Sequence, residues 1–535
     1  MDSPDLHPES ARSRMTLPGQ TRNPTPKPLY RWLFFIGLSI MVALRVVFLL
    51  PSILDFRNFA FRDLGSFQHV DRLIGLGLRP GVDFGFTYGL LPVLLQHIYF
   101  ALFGAGYWTT FGILAIYFLA MLAFWTLLCW EIGPSLSNFG ILLGLSSLMS
   151  FIDPWPPTPA HASMELSLAF ALYFLLKHRL SLALLIAALG ALTIPSLPMA
   201  LTGLITLVMV WEWWRTPRRT ARGLATQLAP AAAGYAGAVS LMAAFFGWRS
   251  VLQSLFPLSG TRLYRAMHFG IFGQGRYFWH PPDAHLRYYL LTTAGIWLFC
   301  SGLLVVFGCV GMVRLARTGK LQGQALFVVV CCALHLVFVF VAYGNYLSYV
   351  YYSFLLTAGV VAGVSGLKDR RLRIGLSCLL LCFGLLSQVT GVRAGRQLWM
   401  TESASPTTAS LYAPNDFQPE WNSVLSLARN RRVFLLSYGM GAEFFYPEVG
   451  TARSWFLMPG LLLPQEDSYV AQQIRSSDVV VEELEVTTRY IDQNREWQTA
   501  LGEFPVKVSG RYFRIWARDP AVQSELLKTA TFHSN

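Results

Sequence analysis

Residues 61–92, FRDLGSFQHVDRLIGLGLRPGVDFGFTYGLLP, set Arg62, Asp63, His69, Asp71, Arg72, Arg79 and Asp83 between two apolar runs. Carboxylates can accept a proton from a hydroxyl, and arginine offers a permanently charged planar fork for an anion. Some acids of residues 1–390 fall in the polar N-terminus, and Glu131, Glu212 and Asp369 fall at basic ends of apolar segments. That leaves Asp55, Asp63, Asp71, Asp83, Asp153, Glu165 and Asp283 for chemistry. Four of these belong to the first charged loop, so a catalytic carboxylate is expected there.

The elements that must position these acids are membrane helices. The 535 residues are 54% hydrophobic and 13% charged, with a mean hydropathy of +0.45, whereas a soluble domain is about a quarter charged. Spans of roughly 20 apolar residues are expected near 31–50, 108–130, 137–152, 163–177, 180–196, 198–214, 224–247, 289–313, 325–343, 347–366 and 374–390. Segment 87–104, interrupted by Pro92 and His97, reads as a juxtamembrane or half-spanning helix. Basic clusters at 177–179, 215–222, 314–320 and 368–373 assign those loops to the cytoplasm by the positive-inside rule. The first loop, DPWPPTPAH (153–161) and 248–288 then face outward.

Residues 391–535 hold 16 of the 29 acidic side chains and 14 of the 42 basic ones, so the net charge of +13 comes from the membrane part. The expected fold is an all-α polytopic membrane protein of about eleven transmembrane helices with a small extracytoplasmic α/β domain. Its parts are a disordered cytoplasmic N-terminus (1–28), a transmembrane domain (29–390) with outer loops 51–107, 153–162 and 248–288, and the tail (391–535). In the tail, RRVFLLSY and DVVVEE read as strands, SYVAQQIRSS and RYIDQNREWQTAL as helices, and FPVKVSGRYFRIWA as a hairpin. Gly439-Met-Gly441 lacks the third glycine of a nucleotide loop and reads as a turn. All seven cysteines lie in apolar runs, which excludes a disulfide framework and a cysteine-based zinc site.

Asp63-Leu64-Gly65, Leu78-Arg79-Pro80-Gly81-Val82-Asp83, Tyr88-Gly89-Leu90-Leu91-Pro92 and Leu102-Phe103-Gly104 follow one another in about 45 residues. This order resembles the first outer loop of GT-C membrane glycosyltransferases, which include protein mannosyltransferases, aminoarabinose transferases and catalytic subunits of oligosaccharyltransferases. The sequence departs from their pattern in its single acid at 63, in the position of Pro92, and in LTIPSLP (192–198), which lacks a lysine.

The resemblance implies inverting transfer of a sugar from a polyprenyl-phosphate carrier to a lipid, glycan or protein acceptor at the outer face of a bacterial inner membrane. Partners would be that donor, the acceptor and membrane lipids, with no nucleic acid. Asp63 would orient the acceptor hydroxyl or take its proton, with Asp83 as second acid. Arg62, Arg79, Tyr88, Arg262, Arg265, Arg276 and His280 would bind substrate, the arginines stabilising the leaving phosphate. No cofactor is assigned with certainty; apart from the resemblance, the spacing of Asp153, His161 and Glu165 is compatible with a divalent cation site if Asp63 or Asp83 joins them.

Bland readings stand beside these. Asp63 could cap a helix starting at Leu64, Asp83 could close a turn, Asp71 and Arg72 could be solvated interfacial charge, and His97 could pack between helices. A flippase or transporter, a polymerase or ligase of lipid-linked saccharides, and a noncatalytic glycolipid-binding relative are the rival functions.

Overall fold

The structure, a computed structural model, describes residues 54–132, 158–216, 220–255, 284–319, 323–340, 349–405, 411–457, 461–484, 491–529 and 531–534, with scattered helical positions in 29–51. Of the membrane part, α1 (Phe56–Phe61), α2 (Asp63–Gly75), α3 (Leu90–Phe103) and α4 (Tyr107–Ile132) come first. They are followed by α5 (Pro159–Leu176), α6 (Leu180–Gly190), α7 (Ser196–Arg215), α8 (Ala221–Phe246) and α9 (Trp248–Leu255), then α10 (Ala284–Thr318), α11 (Gly323–Phe340), α12 (Tyr349–Ser365) and α13 (Arg370–Thr401). Among the described residues five helices are long and apolar enough to cross a membrane: α4, α5, α7, α8 and Gly295–Thr318 within α10. The chain is a mostly helical multi-pass membrane protein. The expected span 137–152 lies outside the described residues.

Two segments differ from a simple row of spans. Helix α3 has 14 residues, a rise of about 21 Å, short of a full crossing. Helix α6 has only 11 residues and breaks at 191–195, where Pro195 lacks the amide that a continuous helix would need. The carbonyls freed by this break are not left bare. Gly89 N–H donates to Thr193 O at 2.6 Å and Leu91 N–H to Leu192 O at 3.2 Å. A Cβ at Gly89 would stand 2.0 Å from Leu192 O, so glycine permits the approach. The YGLLP and LTIPSLP stretches are therefore two halves of one backbone contact, which satisfies polar groups where water is scarce.

Ion pairs and hydrogen bonds gather one set of helix ends. Lys177 Nζ lies 2.7 Å from Glu131 Oε1, His178 Nε2 lies 3.4 Å from Glu212, and Arg215 donates to Gly319 O. The ends of α4, α5, α7 and α10 therefore lie together. The opposite ends meet the first loop: Tyr107 packs on Phe59, His161 on Tyr88 and Phe245 on His97.

Helix α13 continues well past residue 390, to Thr401, and leads directly into β1 (Glu402–Ser405), which pairs antiparallel with β2 (Leu411–Pro414). After α14 (Phe417–Ala428) the chain builds β3 (Val433–Leu436), β4 (Val449–Gly450), α15 (Pro464–Ser476), β5 (Val479–Glu483) and α16 (Arg495–Leu501). It ends with β6 (Val506–Ser509), β7 (Phe513–Ala517), α17 (Ala521–Leu527) and β8 (His533–Ser534). The six-stranded sheet has the order β4-β3-β5-β7-β6-β8, with β3 parallel to β4 and β5, and the others antiparallel. Buried Glu420 takes the amides of Arg511, Tyr512 and Phe513 at 2.7, 3.0 and 3.1 Å, closing the β6–β7 turn.

The first loop and the tail share one core. Phe56 and Phe61 of α1 are buried against Phe417, Trp421 and Phe513 of the tail, with centroids 5.3–6.1 Å apart. Aromatic burial of this extent is worth several kcal/mol, of the order of 3–5 for each Phe truncated.

Candidate functional site

Helix α1 is capped by Asp55, whose carboxylate accepts from Arg57 N–H at 2.9 Å. Arg57 also lies 3.5 Å from Glu402, at the foot of α13. Burial, reinforced by the neighbouring Asp55 carboxylate, pushes Glu402 up to about 7 against the pull of Arg57. The chain then turns at Arg62 and starts α2 at Asp63. Arg62 holds the cap position and makes no capping side-chain bond there, so Asp63 is the first helical residue and not the cap. Its charge at the helix N-terminus and Arg72 in the last turn both suit the helix dipole.

Asp63 keeps part of its surface open, yet it sits deep in the fold between loop and tail. Desolvation pushes its carboxyl up to about 6, against the lowering effects of the Arg62 cation and of a hydrogen bond from Tyr438. A carboxylate near neutrality is a stronger base than an ordinary aspartate and is still ionised at pH 7. Four residues along the same helix face, Phe67 stacks on Tyr88 at 5.9 Å and 13°. Tyr88 in turn meets Trp455 at 5.0 Å and His161 at 5.2 Å. Trp455 abuts Phe456, and Phe456 stacks on Tyr438 at 4.5 Å. A train of rings drawn from α2, the 84–88 segment, α5 and the tail thus leads back to the residue that holds Asp63.

Glycines make this meeting possible. A Cβ on Gly65 would stand 1.6 Å from Phe59 O and 2.7 Å from Gly441 Cα, and one on Gly439 would stand 2.5 Å from Arg62 O. Gly439 N–H donates to Phe61 O at 2.6 Å. The Gly439-Met-Gly441 segment is therefore the tail's docking face for the α1–α2 elbow, more than the simple turn its sequence suggested.

Two carboxylates of the tail fix the rest of the loop. Glu443 lies 2.5 Å from His69 Nδ1, pairs with Arg72 and accepts from Thr451 at 2.7 Å. Although burial works the other way, the His69 contact, Thr451 and Arg72 together hold its carboxyl below the usual range. Glu466 accepts from Gly85 N–H at 2.8 Å and from Leu463 N–H at 2.6 Å. Desolvation pushes it up to about 7, outweighing these amides.

Of the other residues singled out by sequence, Asp83 is bound to Arg79, through its backbone amide at 2.8 Å and its Nε at 3.2 Å, in an exposed turn. Both side chains close that turn, which α9 flanks through Gln253 beside Gly81. Asp71 lies 2.8 Å from His97 Nδ1, joining α2 to α3, and Arg72 reaches Glu443, so this pair ties elements together in place of standing as loose interfacial charge. Arg62 and Tyr88 stay with Asp63 and its aromatic wall. His161 contacts the Thr158 hydroxyl at 2.8 Å, and Glu165 accepts from Tyr117. Among the described residues no three His, Cys, Asp or Glu side chains are gathered to hold a metal. Asp153, Arg262, Arg265, Arg276, His280 and Asp283 lie outside the described residues.

Solved structures similar to this chain include two of one protein. ArnT from Cupriavidus metallidurans in the apo state superposes with a TM-score of 0.48 at 12% sequence identity, covering 93% of this chain and 99% of that one. The same ArnT bound to undecaprenyl phosphate superposes with a TM-score of 0.41 at 12% identity, covering 92% and 98%. No family model and no curated protein matches the chain.

Sequence reasoning missed Tyr438, Glu443, Trp455 and Glu466. The one available signal was the pair of close-approach segments, Asp-Leu-Gly in the loop and Gly-Met-Gly in the tail.

Proposed function

We propose that the protein is a membrane glycosyltransferase that moves a sugar from a polyprenyl-phosphate carrier to an acceptor hydroxyl at the outer face, with inversion. The observation that carries this reading is Asp63, a partly open carboxylate with a raised pKa, one helical turn from an aromatic wall formed by Phe67, Tyr88 and Trp455. Aromatic faces suit the apolar faces of sugar rings. Asp63 would accept the hydroxyl proton as the bond to the anomeric carbon forms and the carrier phosphate leaves. Arg62, whose charge acts on Asp63, would offer a cation to that phosphate. The order of motifs in the first loop supports the same class. The acceptor is a lipid, a glycan or a protein, and the cytoplasmic membrane of a bacterium is one setting in which such carriers occur.

The test is transfer of radiolabelled sugar from polyprenyl-phosphate donors into lipid, glycan and protein fractions, by membranes matched for folded protein. Native chain should label one fraction, and Asp63→Asn should lower the rate roughly 10²–10⁴-fold, the usual worth of a general base. Undiminished transfer by Asp63→Asn would remove Asp63 from the chemistry. No transfer from any donor would favour a flippase or a binding role.

A further inference from the structure

Asp63 belongs to the first loop, but the tyrosine that holds its carboxyl down, Tyr438, belongs to the tail, next to Gly439, whose N–H is bonded to Phe61 O. The neighbours leave little else to do this. Ser66, three residues on, gives its hydroxyl to Arg62 O at 2.9 Å. His69, Arg72 and Glu443, further along α2, are engaged with one another. On Asp63's own chain segment Arg62 supplies charge, and from the element packed against it Tyr438 supplies a hydrogen bond.

Tyr438 is held with more precision than an exposed tyrosine needs. Its carbonyl accepts from Leu457 N–H at 3.2 Å, its ring stacks on Phe456 at 17°, and the next residue, Gly439, is bonded to Phe61 O at 2.6 Å. With backbone and ring fixed on both sides of the seam, the hydroxyl is delivered to one place. We infer that Tyr438 is a positioning residue for Asp63, its hydroxyl donating to the carboxylate so that the site is completed only when the tail is docked on the α1–α2 elbow. The consequence for sugar transfer rests on the function proposed above, whereas the coupling between the two side chains does not.

A donor to the ionised form favours that form. Removing it leaves burial opposed by the Arg62 cation without the hydroxyl, so the protonation midpoint of Asp63 rises. Tyr438→Phe keeps the ring on Phe456 and loses only the hydroxyl. Two readouts are taken on the full chain in lipid nanodiscs. The first is the pH titration of the protonated-carboxyl C=O band by difference infrared spectroscopy, assigned to Asp63 by its loss in Asp63→Asn. The second is the pH profile of sugar transfer.

Tyr438→Phe is expected to move the infrared midpoint and the acid limb of the profile upward together by about one unit. Transfer near pH 6 then falls severalfold, and the alkaline plateau and the KM for donor change less. An unmoved midpoint would overturn the inference whatever the activity does. A moved midpoint with no transfer from any donor would uphold the positioning and overturn the assigned reaction. Should Tyr438→Phe fail to fold, 3-fluorotyrosine at position 438 donates more strongly and should move the midpoint downward. No movement there would overturn the inference equally.

Discussion

At the scale of the residue, the tail's carboxylates respond to pH in opposite directions. Glu466 is raised from 4.5 to about 7, chiefly because burial penalises its charge. Between those values the folded chain holds a proton that the unfolded chain has released, so stability falls as pH rises through the window. Glu466→Gln keeps an oxygen for the Gly85 and Leu463 amides and removes the charge. Its thermal midpoint should exceed that of the native chain at pH 8 and equal it at pH 4. Equal midpoints at pH 8 would show that the carboxylate is not desolvated there. Glu443, lowered by His69, Thr451 and Arg72 in spite of burial, contributes in the opposite sense, its share being lost as pH falls below the ordinary carboxylate range. Loop and tail are thus held together most evenly near mild acidity.

At the scale of the element, the sequence revealed the types of the pieces more readily than their joints. The helical tendency of α2 and α3 and the strands VFLL and VVVEE were legible because hydrophobic periodicity reports burial locally. A boundary between the spans expected at 180–196 and 198–214 was legible too, but its place at 191–195 was not, because LTIPSLP sits in a continuous apolar run and only its partner, Gly89, shows where the freed carbonyls go. The extension of α13 to Thr401 was hidden for a similar reason. Apolarity fades after residue 390, whereas Arg, Ala, Gln, Leu and Met continue to favour helix. Gly65 makes the joint testable. Its Cβ would meet Phe59 O at 1.6 Å, while Gly75 in the same helix has nothing within 4 Å. Gly65→Ala should therefore open the elbow, cost about 1–3 kcal/mol and make the tail sensitive to limited proteolysis. Gly75→Ala should be neutral or stabilising by up to about 1 kcal/mol. Equal protease resistance of the two variants would count against backbone docking at the elbow.

At the scale of the whole molecule, the contacts divide the helix ends into two groups, and this division carries an orientation. Glu131, Lys177, His178, Glu212, Arg215 and Gly319 gather at one end. Tyr107, His161, the 191–195 break and Phe245 meet the first loop and the tail at the other. The basic loops anticipated as sharing a side are in part joined directly, which sequence counting could infer only through an assumed number of crossings. Lysine and arginine flanking spans favour the cytoplasmic face, so the loop–tail assembly, with Asp63 and its aromatic wall, is expected outside. In a chain freed of its native cysteines, a cysteine at exposed Ser524 in the tail should react with a membrane-impermeant maleimide in intact spheroplasts. One at Arg317 should react only after the membrane is opened. The reverse pattern would invert the molecule and place the acid on the side where nucleotide sugars, not lipid-linked ones, are at hand.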